Sequence, residues 1–211
     1  MDNLFFNKLY SYINSLFPNA RCELFYSKDY ELVIAVMLSA QTTDKAVNNV
    51  TKTLFNKYKS INEINDAKIS DIEEIIKPLG LYKNKAKNIK EIASKLVNEF
   101  EGIVPNDKLK LQTLSGIGNK SAGVIRAEVF KIPDLPVDTH ILRISKRLGV
   151  VNDNATPNEV ENKLKNLLPK EEWISAHHKL IFFGRYFCTA KKPHCDECKI
   201  REYCHYKNTS C

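Results

Sequence analysis

The chain has 211 residues, of which 43% are hydrophobic and 27% are charged, a balance that excludes a disordered protein and allows one large domain or two small lobes. Lys and Arg outnumber Asp and Glu by 32 to 25, and the net charge of +7 suits a polyanionic partner such as nucleic acid. The longest fully apolar run, residues 32–38, is far short of the ~20 residues needed to cross a bilayer. The N-terminal segment has neither a basic start nor a small-residue cleavage site, so we expect no signal peptide and a cytoplasmic location.

Apolar residues recur at helical spacing along almost the whole chain, and strand signals are nearly absent. Pro and Gly separate the periodic segments, and the segment TPNE (156–159) combines a Thr cap, a Pro in the first turn and a Glu three residues after the cap. The predicted helices cover residues 4–17, 30–40, 44–58, 71–76, 84–100, 108–114, 119–130, 138–149, 157–168 and 171–187. The sequence therefore predicts an all-α fold.

Four of the six cysteines form a C-x6-C-x2-C-x5-C pattern near the C-terminus: Cys188, Cys195, Cys198 and Cys204. A chain expected to be intracellular is not expected to contain a disulfide framework, so four clustered thiolates indicate a metal site. Their spacing fits neither the two short knuckles of a zinc site nor the ferredoxin patterns, which leaves zinc and a [4Fe–4S] cluster both open. Cys22 and Cys211 lie outside the pattern, and no role beyond packing or exposure is expected for them.

The segment LSGIGNKSAG (114–123) places two glycines around one isoleucine between two short predicted helices, which is typical of a helix-hairpin-helix. Gly116 and Gly118 permit unusual backbone angles and let a phosphate approach the amides at the start of the second helix. Lys120 would lie in the first turn of that helix, whose positive end favours a neutral, nucleophilic amine. The alternative for Lys120 is an ordinary phosphate-binding lysine.

Asp138, in the segment PVDTH (136–140), is predicted to cap the helix that follows. A capped carboxylate stays ionised, and an ionised carboxylate can stabilise positive charge that develops beside it. His140 is expected to be a packed or hydrogen-bonded residue and not a catalytic acid.

Taken together, these motifs resemble those of the endonuclease III family, the iron–sulfur DNA glycosylases and abasic-site lyases of the helix-hairpin-helix superfamily. The matching segments, in the family's order, are SAQTTDKAVN (39–48), GLYKNKAKNI (80–89), LSGIGNKSA (114–122), VDTHILRI (137–144), GRYFC (184–188) and the whole cysteine pattern. The resemblance implies a [4Fe–4S] cluster held by Cys188, Cys195, Cys198 and Cys204. It also implies a six-helix barrel lobe of residues 22–132, a cluster lobe of residues 1–21 and 133–211, and a DNA cleft between the lobes.

The same resemblance assigns roles to individual residues. It makes Lys120 the nucleophile and Asp138 its catalytic partner in removing a damaged base and in cleaving the abasic site by β-elimination through a Schiff base. Gln41 and Leu81 match loop residues that enter the duplex, whereas the residues alone would make Gln41 a polar helix end and Leu81 part of the core. The implied partner is double-stranded DNA containing oxidised pyrimidines or abasic sites, bound by a monomer that is associated with the nucleoid.

Two lysine groups flank the expected DNA track: Lys83, Lys87 and Lys90 after Leu81, and Lys191 and Lys192 between the first two clustered cysteines. Each group could contact phosphates or form an ordinary solvated face, and the residues leave both open, although Lys191 is the lysine we assign to DNA. The chain departs from the family at Ser115, where a proline is common, and at Asn119, where a basic residue is common. Both departures could weaken DNA affinity.

Three alternative functions fit these residues less well. An adenine-specific mismatch glycosylase shares the hairpin, the Asp and the cluster, but it lacks the lysine nucleophile and has a further C-terminal domain, so Lys120 and an end at Cys211 argue against it. A thymine-mismatch glycosylase usually lacks this lysine as well. A non-catalytic DNA-binding or electron-transfer iron–sulfur protein is disfavoured because Lys120 is paired with Asp138.

Overall fold

A computed structural model describes residues 3–206 of the chain. Cys211, expected to be packed or exposed, lies outside the described residues. The helices are α1 (Asn3–Leu16), α2 (Asp29–Leu38), α3 (Asp44–Lys57), α4 (Ile61–Asp66), α5 (Ile69–Ile76), α6 (Tyr82–Phe100), α7 (Lys108–Gln112), α8 (Asn119–Phe130), α9 (Thr139–Arg147), α10 (Pro157–Leu167) and α11 (Trp173–Phe182). No strand occurs within residues 3–206, and the predicted all-α class is confirmed.

The chain divides into two compact units, one formed by Met1–Cys22 with Pro133–Cys211 and the other by Glu23–Ile132. Helices α2 to α8 belong to the second unit, and α2 supplies the centre of its core because every residue from Tyr30 to Leu38 is buried. An apolar side chain that leaves water in this way contributes roughly 1.5–3 kcal/mol. Helix α6 packs against α2, α4 and α5, while α8 packs against α2 and α7, so the hairpin helices rest on the buried centre of this unit.

The first unit has its own hydrophobic core, built by α1, α9, α10 and α11. The apolar faces of these helices contribute Phe6, Leu9, Ile13, Ile141, Ile144, Val160, Leu164, Ala176 and Leu180. Ile200, from the cysteine-rich segment, is buried in the same core. The segment that carries the candidate metal ligands is therefore anchored on the helices by apolar packing.

Several helix boundaries follow the predicted signals. The Thr156 hydroxyl accepts from the backbone N of Glu159, whose carboxylate accepts from the backbone N of Thr156, so the predicted capping box is formed. Thr43 caps α3 by accepting from the backbone N of Ala46. These local hydrogen bonds satisfy backbone donors that the first turn of a helix leaves open.

Helix α4 is absent from the predicted helices. Its six residues are too few to show a helical period, but the segment SINE (60–63) carries the Ser-x-x-Glu signature of a helix start. Ser60 accepts from the backbone N of Glu63, and the Glu63 carboxylate accepts from the backbone N of Lys59. The Lys90 ammonium donates to the carbonyls of residues 64, 65 and 67 and so caps the other end of α4. Lys90 therefore faces inward, which contradicts its placement on a DNA-facing or solvated surface.

The last long predicted helix, residues 171–187, is continuous but mixed in type. A 3-10 turn (Lys170–Glu172) leads into α11, which continues as a π-helical turn (Phe183–Phe187). The backbone N of Cys188 donates to the carbonyl of Phe183 over 2.7 Å and closes this wider turn. Within residues 3–206, no helix combines the length and the apolar character required to cross a bilayer.

Candidate functional site

The hairpin between α7 and α8 contains one glycine with a left-handed backbone and one glycine with an extended backbone. Gly116 has φ +77°, and a Cβ atom there would lie 2.9 Å from both the Asn88 Nδ2 and the Met37 Cγ atoms. Gly118 has φ −90° and ψ −176°, which any residue can adopt, and no described atom lies within 4 Å of the place of its Cβ. The expectation of unusual angles therefore holds for Gly116 and is wrong for Gly118, whose contribution is open space.

Helix α8 begins directly after that open position. Gly118 is the N-cap, and no side chain among the described residues caps the helix. The backbone N–H groups of the first turn are thus available to an anion, which the positive end of the helix also favours. Lys120 is the second residue of α8, so it lies in the first turn as predicted, and its side chain is exposed. The hairpin thus brings a phosphate-binding set of amides and a lysine amine together.

Ser115, the departure from the family's proline, forms a tertiary hydrogen bond. Its hydroxyl donates to the Glu91 Oε2 atom over 2.5 Å, and Glu91 also pairs with Lys87 at 3.7 Å. This bond ties the hairpin to α6. The turn is therefore restrained by a tertiary hydrogen bond, whereas a proline would restrain it by fixing its own φ angle.

Asp138 caps α9, which confirms its predicted structural role. Its Oδ1 atom accepts from the backbone N of Ile141 over 2.8 Å, and the residue is half-buried. Burial lowers the pKa of the neighbouring His140, with Asp138 opposing and Arg143 reinforcing that effect. His140 Nδ1 is also buried without a hydrogen-bond partner among the described residues. A neutral, packed histidine is thus consistent with leaving His140 out of the catalytic set.

Gln41 and Leu81 occupy equivalent positions in two loops of the same unit. Both have left-handed backbones, with φ 55° at Gln41 and φ 58° at Leu81, a conformation that residues other than glycine adopt only at a cost. Both are exposed, and Leu81 keeps 66% of its surface in solvent. The residue-based alternative that Leu81 belongs to the core is wrong, because the left-handed turn before α6 directs this side chain outward.

The four clustered cysteines line one cavity that is partly open to solvent. Its remaining walls are mainly apolar or aromatic and include Leu148, Phe183 and Phe187. Within residues 3–206, no three His, Cys, Asp or Glu side chains converge tightly enough to hold a single ion. A tetrahedral zinc site needs all four sulfurs within ~2.3 Å of a single ion. A four-iron cluster is larger, so its four cysteine ligands are spread around a wider cavity.

Thiolates are the form of cysteine that ligates metal. Cys188, Cys198 and Cys204 are free. The four sulfur donors and the cavity that they line fit an iron–sulfur cluster.

Two arginines of α9 hold the start of the cysteine-rich segment, and neither is among the site residues predicted from the sequence. The Arg143 guanidinium donates to the carbonyls of Gly184 and Cys188. The Arg147 guanidinium donates to the carbonyls of Thr189 and Ala190 at 2.7 and 2.9 Å, and it lies 3.5 Å from the Cys188 sulfur. Arg143 and Arg147 are four residues apart and therefore lie on one helix face. This spacing is the signal that indicates that both could bind the same segment.

Arg147 also holds the end of the segment. Its carbonyl accepts from the Cys204 Sγ atom at 3.3 Å and from the backbone N of His205 at 3.0 Å, and its guanidinium stacks on Tyr206. One residue therefore contacts both ends of the segment that contains the four cysteines. Lys191 is exposed in the loop next to the carbonyls that Arg147 binds, so the folded protein shapes the loop that presents this lysine.

Comparisons with known proteins match both parts of the molecule. Residues 34–170 match the model of the HhH-GPD superfamily of base excision DNA repair proteins, and residues 188–204 match the iron–sulfur binding domain of endonuclease III. The second match begins at Cys188 and ends at Cys204. Endonuclease III of Bacillus subtilis (strain 168) is 46% identical over 192 residues, which are 91% of this chain and 88% of that protein.

The chain belongs to the endonuclease III family. A solved structure of a trapped covalent intermediate between endonuclease III and DNA superimposes with a TM-score of 0.94 at 40% identity, covering 99% of this chain and 98% of that chain. The protein is accordingly a base-excision-repair enzyme with DNA glycosylase and abasic-site lyase activities, it acts on DNA and it carries a [4Fe–4S] cluster. A thermostable thymine-DNA glycosylase shares the fold, with a TM-score of 0.87 at 23% identity over 99% of both chains.

Proposed function

We propose that this enzyme removes oxidised pyrimidines from double-stranded DNA, with Lys120 as the nucleophile and Asp138 as its catalytic partner. The observation that carries the proposal is the position of Lys120, which is exposed in the first turn of α8 directly after the uncapped hairpin turn. Amides that bind a phosphate there would fix the adjoining deoxyribose close to the amine. If Lys120 were an ordinary phosphate-binding lysine, its amine would not need to lie close to the deoxyribose.

The proposed chemistry uses one amine for two reactions. A base inside the duplex is not accessible, so the damaged nucleotide is first flipped out. The neutral Lys120 Nζ atom attacks C1′ of the deoxyribose, and the electron pair of the glycosidic bond leaves with the base, which takes up a proton. Loss of a proton from nitrogen and opening of the sugar give an iminium ion. The iminium acidifies C2′, and loss of that proton expels the 3′ phosphate and breaks the strand.

Asp138 has a complementary part in this proposal. Its carboxylate is held at the N-terminus of α9 by the hydrogen bond from Ile141. An ionised carboxylate stabilises the positive character that the sugar acquires as the base leaves, and it can accept the proton released by the attacking amine.

Gln41 and Leu81 fill the void that the flipped nucleotide leaves. Both side chains are exposed at left-handed loop positions, so each can project beyond the surface of its unit. An apolar side chain such as Leu81 replaces lost base stacking, and an amide such as that of Gln41 can hydrogen-bond to the orphaned base. Gly116 and Gly118 present the hairpin amides to a phosphate, and Lys191 contacts another phosphate.

Cys188, Cys195, Cys198 and Cys204 are the proposed cluster ligands. When bound, the cluster cross-links four points of the segment and fixes the loop that carries Lys191, and the proposal gives it no redox step. The enzyme acts as a monomer in the cytoplasm, in association with the nucleoid. In this proposal both lobes, residues 22–132 and residues 1–21 with 133–211, contact the DNA.

The decisive experiment incubates the enzyme with duplexes that contain one thymine glycol, one abasic site or one A·G mismatch, with and without borohydride. We expect borohydride to trap a covalent adduct on the first two duplexes and not on the third. Lys120→Gln should abolish trapping and strand cleavage while DNA binding survives, because glutamine cannot form an imine. Lys52→Gln, which removes an exposed lysine of α3, is the matched control and should behave as the wild type.

Two results would contradict this proposal. Adduct formation by Lys120→Gln at the wild-type rate would mean that another residue is the nucleophile. Efficient release of adenine from the mismatch, without release of thymine glycol, would place the enzyme among the mismatch glycosylases.

A further inference from the structure

Lys85 is a buried lysine whose partner is a neutral hydroxyl group. Only 6% of its surface is exposed, and its Nζ atom donates to the Thr42 Oγ1 atom over 2.6 Å. Lysine is rarely buried so completely unless it is paired, and burial lowers the pKa of Lys85. No carboxylate pairs with it among the described residues. Because burial without a carboxylate is unfavourable for an ammonium group, the residues that Lys85 contacts indicate its role.

The hydroxyl that Lys85 binds belongs to the loop of Gln41. Thr42 directly follows Gln41, and its hydroxyl also donates to the carbonyl of Ala40 at 3.2 Å. The hydroxyl therefore bridges the residues on either side of the left-handed Gln41, and the ammonium occupies its lone pair so that its proton points to Ala40. Through these two bonds, Lys85 stabilises the backbone conformation from which Gln41 projects.

The main chain of Lys85 belongs to the other projecting loop. Its backbone N donates to the carbonyl of Leu81 over 3.0 Å, the first helical bond after the left-handed residue. The same residue is thus bonded to Leu81 by its main chain and to the Gln41 loop by its side chain. Lys85 therefore links the two loops directly, with no intervening residue.

The same face of α6 also meets the hairpin. Leu81, Lys85, Asn88 and Glu91 follow one another at intervals of four, three and three residues, which places them on one side of the helix. The Asn88 side chain lies against Gly116, and Glu91 accepts from Ser115. One helix face therefore carries Leu81 and contacts the Gln41 loop and the hairpin, the two other segments of this unit that the proposed function assigns to DNA.

We propose that Lys85, acting through Thr42, is a positioning residue that sets the separation of Gln41 and Leu81 and thereby determines how efficiently a base is extracted. This inference rests on the proposed entry of Gln41 and Leu81 into the duplex. Lys85 touches neither the DNA nor the reacting atoms. The Lys85–Thr42 hydrogen bond affects the step in which the duplex is opened and the base is extracted. It contributes little to cleavage of a site from which the base is already absent.

The test compares Thr42→Val with Thr51→Val in single-turnover assays. Both changes replace a threonine hydroxyl by a methyl group of similar size, but Thr51 is a buried residue of α3 whose hydroxyl donates to the carbonyl of Asn48. Thr42→Val should slow release of thymine glycol about tenfold, the equivalent of one lost hydrogen bond to a charged group. It should change cleavage of a preformed abasic site by less than about twofold, and Thr51→Val should change neither rate by more than that.

A second readout separates positioning from a general loss of structure. The fluorescence of 2-aminopurine placed opposite the lesion reports the intrusion of side chains into the duplex, and the Thr42→Val variant should show a smaller change than the wild type. In a Gln41→Ala background, Thr42→Val should have no further effect on base release, because the side chain that it positions is gone. Lys85→Met should reproduce Thr42→Val, and its thermal unfolding shows whether the variant is folded.

The outcomes distinguish this inference from the proposed function. If Gln41→Ala and Leu81→Ala leave base release unchanged, the proposed void filling itself is wrong. If those variants are slow but Thr42→Val matches the wild type, the positioning role of Lys85 is wrong. The role is also wrong if Thr42→Val slows both substrates equally, or if its full effect persists in the Gln41→Ala background.

Discussion

The hairpin turn and the cysteine-rich segment reach defined conformations by different physical means. The hairpin lies between two helices, and its turn is restrained by the left-handed Gly116, by packing against Asn88 and by the Ser115–Glu91 hydrogen bond. The cysteine-rich segment, residues 188–204, contains only one 3-10 turn (Arg201–Tyr203), and its ends depend on Arg147. The polypeptide supplies all the restraints of the first region, whereas we expect the second to depend on its metal as well.

Loss of one cluster ligand should have the largest effect, and it tests this contrast directly. Cys198→Ala should remove close to four irons per chain and expose residues 188–204 to hydrogen exchange, because ligation and local folding are coupled. Amides of α8 should keep their protection. Cys22→Ala is the control and should retain the wild-type iron content. Colourless, anaerobically prepared protein with stoichiometric zinc would contradict the assignment of the cluster.

The two hairpin glycines should respond differently to the same substitution. Gly116→Ala forces a side chain into a left-handed position and against Asn88 and Met37, so the free energy of unfolding should fall by about 1–3 kcal/mol. Gly118→Ala meets neither obstacle and should change stability by less than about 0.5 kcal/mol. It should nevertheless weaken DNA binding, since a methyl group would cover the open amides. Chemical denaturation and a binding titration measure the two effects, and equal stability losses would refute the distinction.

The contribution of the cysteine-rich segment to DNA binding should appear in the salt dependence. Changing both Lys191 and Lys192 to Ala should reduce the slope of log affinity against log salt by up to ~0.9 for each phosphate that the loop no longer neutralises. The iron content should stay at the wild-type value, because neither lysine holds the cluster. An unchanged slope on undamaged DNA would show that this loop does not touch the phosphates.

The smallest expected effect concerns the tether of the hairpin. Glu91→Ala and Ser115→Ala each remove the same hydrogen bond, so each should raise the dissociation constant for DNA by roughly two- to fivefold, which corresponds to a weak net contribution. The double variant should be no weaker than either single variant. Additive losses would mean that the two residues act independently.

Much of the fold and of the candidate site could be predicted from the sequence, because the signals that mark them are local. The helix start at Thr156, the cap at Asp138, the turn at Gly116 and the position of Lys120 all depend on neighbours within four residues. Helix α4 is not predicted, although Ser60 and Glu63 mark its start, because six residues are too few to show a helical period.

The contacts that could not be predicted join residues far apart in the chain. Thr42 meets Lys85, Ser115 meets Glu91, and the carbonyls after Cys188 meet Arg147 only after the helices have packed. The sequence does not show whether a charged side chain will face solvent or a buried carbonyl. Lys90 is an example, because it was expected on the surface but donates to the carbonyls at the end of α4. The outward direction of Leu81 depends on a left-handed backbone that its residue type does not favour.

The π-helical turn at Phe183–Phe187 determines the direction in which the cysteine-rich segment begins. Each residue of a helix advances the chain by about 100° around the axis, so the position of Cys188 is a matter of rotational phase. A π-turn closes with one residue more than an α-turn. The same residues wound as a regular α-helix would therefore carry Cys188 about a quarter of a revolution further around the axis, away from its cavity. The wider turn at the end of the helix is thus what directs the first cysteine toward the cavity that the other three line.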